Sequence, residues 1–504
     1  MKKISFILAT LIFLGTSCSE DFLDIQPLDA VNSETYYQTE DQVRRALNGA
    51  YSPLGNRGMY GWWLSSIRDV LTDEAETLEQ NIINHYFFNY NNTDIRLFNR
   101  TNGDGLWNSL YMGVLRSNLI IVRLPQSRIA SAQVRGQLMG EAKFLRALYY
   151  FHLVNFWNRA PLLLDDNFNS FDVAAVDANA IYAAIERDLD DIIQGNLLPW
   201  VYSGGEGQEI GRASMGAARA LRAKVHLYRG QYAEAAALFK SVIDQGVYDL
   251  LPLEQVFTLA GDNGVESVFE VQFNFRGAGF NPFFDDGVNA SESSLRNQML
   301  APNQVGGWEN VFPAPAFVAT FEEGDQRKKY FIIVPGDTIT TTGQVYDPAR
   351  NKGNFAIRKG VNSGFAAWNP QNGVGDENFP IIRYADVLLM YAEALIQGGG
   401  NQQEAKDLID RVRARAFQYT NIAELRSAGK GVDDYMQQKG VSLLDALKHE
   451  RWVELCYEGH RYLDLLRWGD LPGNTVLLNR GWRPEQTYYP IPQEDIDLST
   501  LLTP

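Results

Sequence analysis

The stretch Leu444–Asp470, LDALKHERWVELCYEGHRYLDLLRWGD, constrains the fold more than any other part of the chain. Counted at 3.6 residues per turn, Leu447, Trp452, Leu455, Gly459, Tyr462, Leu463 and Leu466 share one face. Glu450, Glu454, Arg461 and Asp464 share the other. The pattern predicts one amphipathic helix, its apolar stripe buried and its charged face in water. Arg451 breaks that division. It sits within the apolar stripe, so it must meet a carboxylate there, and Asp386 or Glu393 on a helix over Tyr384–Leu395 is the expected partner. The stretch reads as scaffold rather than as a site of chemistry.

The N-terminus reads as an address. Lys2 and Lys3 precede the apolar run Ile4–Leu14, which is too short to span a bilayer. Gly15, Thr16 and Ser17 are small and lead to Cys18. A secretory signal over residues 1–17 is expected, with Cys18 as the acylated first residue of the mature protein. The other cysteine is Cys456. If Cys18 carries lipid, no intrachain disulfide can form, and Cys456 reads as a buried, inert thiol. The net charge of −16 and the lack of a basic run exclude nucleic acid as a partner.

Along the chain, 22–37 reads as a tether and Asp41–Leu54 as the first helix. Helices follow over Trp107–Leu124 and Glu141–Asn158, the second stopped by Ala160-Pro161. Ala213–Gln245 and Ala392–Ala416 read as helical hairpins. In each, a glycine (Gly230, Gly400) is followed five residues later by an alanine (Ala235, Ala405). That spacing resembles the tetratricopeptide turn. The two copies lie far apart, so scattered hairpins rather than a tandem solenoid are expected. Glu266–Phe275 alternates as a strand does. Residues 276–379 are rich in Gly, Asn, Pro and single aromatics, and read as functional loops on the scaffold. The expected organisation is one domain over 18–504. Its helical scaffold spans 38–265 and 380–470 and carries that loop-rich insertion with minor β structure.

Six segments together resemble the SusD/RagB family of outer-membrane nutrient-binding lipoproteins. They are Cys18 with SEDFLD behind it, LWNSLYMGVLRSNLIIVRL (Leu106–Leu124), EAKFLRALYYFHLVNFWNRAPLLL (Glu141–Leu164), PIIRYADVLLMYAEAL (Pro380–Leu395), ERWVELCYEGHRYLDLLRWGD, and YPIPQEDI (Tyr489–Ile496). Gly307–Lys329, with its Gly-Asp-x-Arg turn, is similar to a further family segment. The resemblance implies a mainly α fold with tetratricopeptide-like hairpins and a lipid anchor at Cys18 in the outer membrane, exposed at the cell surface. It implies an oligosaccharide ligand, a SusC-type TonB-dependent transporter as partner, and no cofactor. An oligopeptide ligand, as in the RagB branch, is the alternative within the family. A surface glycoside hydrolase is the alternative outside it.

The residues offer little catalytic chemistry. None of the five histidines (His85, His152, His226, His449, His460) makes an H-x-x-x-H or H-E-x-x-H pair, and no metal site is expected. Gly211–Gly216, GRASMG, has the wrong spacing for a nucleophile elbow and reads as a helix start. Asp188, Asp190 and Asp191 read as a solvated helix face. Asp73 with Glu74, and Glu322 with Glu323 and Asp325, are the carboxylate groupings a hydrolase would need. What the loops do offer is aromatic rings beside amides. A sugar stacks its C–H face on a ring and bonds its hydroxyl rim to Asn, Asp or Arg. The candidate ligand residues are Tyr60, Trp62, Trp63, Asp73, Asn91, Phe283, Trp308 and Trp368, each of which could equally be a core residue.

Overall fold

Thr39 opens the first helix, α1 (Glu40–Tyr51). Its hydroxyl accepts from Gln42 N, and the Gln42 side chain answers to the Thr39 backbone, a capping box. The structure is a computed structural model that describes residues 36–56, 58–61, 64, 69–78, 105–165, 167–168, 170, 172–202, 204, 209–273, 294–339, 342–360, 375 and 377–503. After α1 come α2 (Leu106–Arg123), α3 (Ala132–Trp157), α4 (Ala178–Gln194), α5 (Met215–Tyr228) and α6 (Tyr232–Asp244). α3 begins at Ala132, well before the expected Glu141, because Ser131 caps it by accepting from Val134 N. It ends at Asn158, whose left-handed φ of 59° stops it before Pro161. From Gly140 to Trp157 it is buried on nearly every side, so its sequence shows little of the periodicity that marks surface helices.

The next helices are α7 (Tyr384–Gln397), α8 (Gln402–Ala416), α9 (Val432–Lys439), α10 (Leu443–Glu454) and α11 (Arg461–Trp468). α5 with α6, and α7 with α8, are the two expected hairpins, and Ala235 and Ala405 are fully buried at the close approach. The hairpins are not scattered. α6 packs on α7 across the intervening loops, and from α2 to α8 each helix packs on the next, a single continuous array. The insertion interrupts this array in sequence but not in space. Arg146 of α3 ties its two neighbours in the array to α3. It donates to Asp188 of α4 at 2.6 and 2.7 Å and to Asn118 of α2 at 2.7 Å. Asp188 is therefore a buried ion-pair partner, not part of a solvated face; Asp190 bonds Arg222, and Asp191 bonds Lys143.

Strand structure is minor. β1 (Ala75–Glu76), β2 (Ser267–Val271), β3 (Phe312–Pro313) and β4 (Phe379–Arg383) form two antiparallel pairs, β1 with β3 and β2 with β4. β2 and β4 flank the insertion and hold its two ends together. The described part of the insertion, 294–360, carries short helices (Arg296–Leu300, Pro315–Val318, Arg327–Phe331) and two-residue strands. One main apolar cluster runs from Val43 to Ile491.

The stretch expected to be one helix is two. α10 ends at Glu454 and α11 begins at Arg461, with Tyr457 and Gly459 at φ of 59° and 74° between them. The face expected in water is buried as well: Glu450, Glu454 and Asp464 are 0–2% exposed. Burying these carboxylates requires partners. Glu450 faces Arg327 and Arg413, while Glu454 faces Arg327, Arg383 and Arg415. Arg451 meets Asp386 of α7 at 2.9 Å, as expected, and also Asp464 of α11 at 2.8 Å.

Candidate ligand-binding surface

Chain segments distant in sequence meet around Arg296. The Leu295 N–H donates to Gly61 O at 2.9 Å, and Ser294 pairs with Gly375 as an isolated antiparallel bridge. Phe273 N donates to Asn378 Oδ1 at 2.8 Å. Arg296 Nη2 donates to Tyr457 O at 2.7 Å, its other Nη donates to Lys359 O, and its guanidinium lies 5.3 Å over the Phe379 ring. A Cβ on Gly360 would lie 1.9 Å from Arg296 Nη1, and one on Gly375 would lie 2.2 Å from Asn297 Nδ2. Both glycines are thus needed for the approach. Gly61, Phe273, Leu295, Gly360 and Gly375 flank the stretches that hold Trp62, Trp63, Phe283 and Trp368 in sequence. β1, paired with β3, leads toward the stretch that holds Asn91.

Charges beneath this surface are paired off. Lys359 Nζ bonds Glu458 at 2.7 Å and the carbonyls of Glu454 and Cys456 at 2.9 Å. Arg383 bonds Glu458, Glu454 and Glu266. Burial pushes the Glu458 carboxyl up, but Arg383 and Lys359 outweigh it and hold the group at about 2. Burial also pushes the Cys456 thiol up, in keeping with an inert core thiol. A small cavity of about 30 Å³, room for a water, lies among Arg296, Glu377, Asn378 and Phe379.

Of the residues singled out in the sequence, Trp62, Trp63, Asn91, Phe283, Trp368 and Cys18 lie outside the described residues. Tyr60 is inside the core. It is 3% exposed, with its hydroxyl 3.0 Å from His152 Nε2 and its ring 4.9 Å from that of Phe379. It offers no stacking face to a ligand. Asp73 is held by Arg461 at 2.8 Å through both oxygens and by Asn474 at 3.0 Å. Trp308 is half-buried on the main core. Gly306 before it has a φ of 94°, and a Cβ on Gly307 would lie 2.0 Å from Ala301 O, so the turn that places this ring needs both glycines.

The carboxylate groupings are structural. Glu322 pairs with Arg413 and Asp325 with Arg327, the latter completing the Gly-Asp-x-Arg turn. Ser214 of the GRASMG stretch caps α5. His226 bonds Gln231, and His449 stacks on Tyr435 at 4.7 Å. Among the described residues no cluster of His, Cys, Asp or Glu could hold a metal ion. Sequence reading missed Arg296, although the same signal that exposed Arg451, a lone cation beside Leu295, Met299 and Leu300, was present there.

Two family models cover most of the chain: one described as the SusD family over residues 280–503, the other as starch-binding associating with outer membrane over 21–227. SusD-like protein P25 of Formosa agariphila is 27% identical, with 98% of this chain and 96% of that protein aligned. A SusD-like protein of Bacteroides ovatus is 25% identical over 98% of this chain and 88% of its own length. Among solved structures, a laminarin-binding SusD-like protein matches with a TM-score of 0.76 at 26% identity, covering 93% of this chain and 99% of its own. Surface glycan-binding protein A of Bacteroides thetaiotaomicron, in complex with laminarihexaose, shares the fold with a TM-score of 0.73 at 21% identity, over 91% and 97% of the two chains. The helical array, the hairpins and these matches end to end place the chain in the SusD/RagB family.

Proposed function

We propose that this protein is a cell-surface lipoprotein of the outer membrane that captures an oligosaccharide and passes it to a SusC-type TonB-dependent transporter. One observation carries the reading. The described flanks of the stretches that hold Trp62, Trp63, Phe283 and Trp368 meet around Arg296, which supports assigning these aromatic stretches to one ligand. Sugar recognition needs that arrangement, because stacking faces and hydroxyl-bonding groups must act on one ligand together. The laminarin-binding relative and the starch-binding family model support a glycan over a peptide. Trp62, Trp63, Phe283, Trp308 and Trp368 would supply stacking faces, and Asn91 a hydrogen-bonding group. Of the carboxylates a hydrolase would need, Asp73, Glu322 and Asp325 are engaged by arginines, which supports binding without cleavage.

Electrophoresis of the mature protein through gels containing separate glycans tests the reading. Retardation by at least one glycan, with no shortened product, is the expected result. Retention by peptides alone would replace it with the oligopeptide reading, and release of shorter sugars would replace it with a hydrolase. The anchor has its own test. Cys18→Ala should move the protein out of the membrane fraction, since the acyl chains supply about 0.8 kcal/mol per buried methylene.

A further inference from the structure

Asp69 and Glu74 are among the most buried carboxyls of the chain, 0% and 1% exposed, and neither has a salt-bridge partner among the described residues. Each spends one oxygen on the same turn. Asp69 Oδ1 accepts from Gly459 N at 3.0 Å, and Glu74 Oε1 accepts from Tyr457 N at 3.2 Å. The Tyr457 hydroxyl returns a bond to Glu74 O at 3.2 Å. The second oxygens, Asp69 Oδ2 and Glu74 Oε2, have no hydrogen-bond partner, and the two carboxyls are fastened to amides only two residues apart in one buried turn. Two neighbouring acceptors without a donor repel unless a proton lies between them. The turn they grip is strained, with Tyr457 at φ 59°, and Arg296 holds its carbonyl from the other side.

We propose that Asp69 and Glu74 form a proton-held latch, which closes the Tyr457–Gly459 turn onto segment 69–76 and thereby braces Arg296 at the base of the ligand surface. With one proton shared, the pair carries a single charge and accepts both turn amides. When that proton leaves, two charges face each other in a dry site and the grip on the turn loosens. The route outward is short: turn to Arg296, Arg296 to Lys359 and the Phe379 ring, and its neighbour Leu295 to Gly61. The inference goes beyond the glycan reading and does not depend on which ligand binds.

The surrounding charges do not relieve the pair. Arg296 and Lys359 face Asp69, but Arg296 is spent on the carbonyls of Tyr457 and Lys359, and Lys359 on Glu458. Arg461 faces Glu74 but is held by Asp73, which adds a further negative charge. Arg480, on the far side of segment 69–76, bonds the carbonyls of Val70 and Thr72. The Cys456 thiol and Tyr457 phenol beside the pair are pushed up by burial and stay neutral. Burial, against the pull of Arg296, raises Asp69 to about 7, while burial and then Asp69 raise Glu74 well above its ordinary value. A folded-state value above the unfolded one means that the latch contributes fully below the carboxylate range and is lost as pH rises through about 7.

Hydrogen exchange of the full mature chain, followed by mass spectrometry from about pH 6 to about pH 9, tests this. Protection of peptides covering Tyr457, Gly459 and Leu295, corrected for the intrinsic rate, should fall by about tenfold in wild type as the pair loses its proton. In Asp69→Asn and Glu74→Gln, where an amide supplies the missing donor, protection should be flat with pH. Constant protection in wild type, or an undiminished fall in both variants, would overturn the latch. Carboxyl NMR of wild type decides the matter without any variant: an Asp69 signal that titrates near 4 would remove the shared proton.

Discussion

Arg451 has no exposed side-chain surface, and two helices compete for its guanidinium. Its partner on α7 was legible because a cation in an apolar stripe has to be answered, and Asp386 faced it at the right depth. Its second partner was not. Asp464 falls on the opposite face of a continuous helix, and only the break at 455–460 turns it inward. Arg451→Ala leaves two carboxylates short of a donor in a dry interior. It should lower unfolding free energy by about 3–5 kcal/mol, read from urea denaturation. A loss below about 1 kcal/mol would mean that Lys224 and Arg467, the other cations on Asp386 and Asp464, suffice without it. Trp308 is the described ring to test for the ligand. Trp308→Ala should weaken binding of the glycan found by gel retardation about tenfold, measured by calorimetry. Tyr60 shows why a loop aromatic is an uncertain sign from sequence. Its stretch, NRGMYGWW over Asn56–Trp63, reads as a loop dense in aromatics, yet its hydroxyl finds His152 from a helix 92 residues away.

Helix caps and hairpin glycines are local signals, and at the scale of elements they were readable. Ser214 opens α5, and the Gly-to-Ala spacing marks both hairpins. The start of α3 and the end of α10 were not readable, for opposite reasons. The first turns of α3, with Gln133, Arg135, Gly136, Gln137 and Gly140, hold too few apolar residues to show a period, whereas α10 and α11 together show a false one. The acids Glu450 and Glu454 were assigned to water by pattern, but arginines from 327, 383, 413 and 415 come from elsewhere to meet them. The closeness of α2 to α3 rests on Gly113, where a Cβ would lie 2.2 Å from the Tyr149 ring. That ring cannot swing away easily, because its hydroxyl donates to Ala50 O of α1 at 2.6 Å. Gly113→Val should therefore cost about 1–3 kcal/mol through overpacking, read as a lower denaturation midpoint with an unchanged slope. A variant as stable as wild type would show that α2 can slide on α3.

Across the whole molecule, the array from α2 to α8 was hidden because its halves are separated by the insertion, and sequence distance says nothing about whether α6 meets α7. What joins the C-terminal helices to that array is charge as much as apolar area, and this fixes how the protein should respond to acid. Asp386 is held below the usual carboxylate range: burial raises it, but Lys224, His460 and Arg451 outweigh burial. Asp464 and Glu458 are held at about 2 against burial, the first by Arg451 and Arg467, the second by Arg383 and Lys359. A depressed folded-state value gives stability that is present above the unfolded carboxylate range and lost as pH falls through the folded value. The histidines act in the same direction. Burial first, and then Lys224, lower His460 to about 4, while burial lowers His449 to about 4, so both are neutral in the fold when the unfolded chain has begun to take up their protons. The histidine share of stability should therefore decline gently as pH falls below about 6.5, against the opposing share of Asp69 and Glu74, and the total should fall steeply from about 4.5 toward 2. Urea midpoints measured across that range should trace the steep loss, with the histidine share above it read from the difference between wild type and His460→Gln. That variant, which cannot protonate, should lack the histidine share while leaving the steep loss in place. Parallel curves for wild type and variant above the steep loss would show that His460 contributes nothing to it, and a flat profile down to about pH 3 would show that the buried ion pairs survive without their charges.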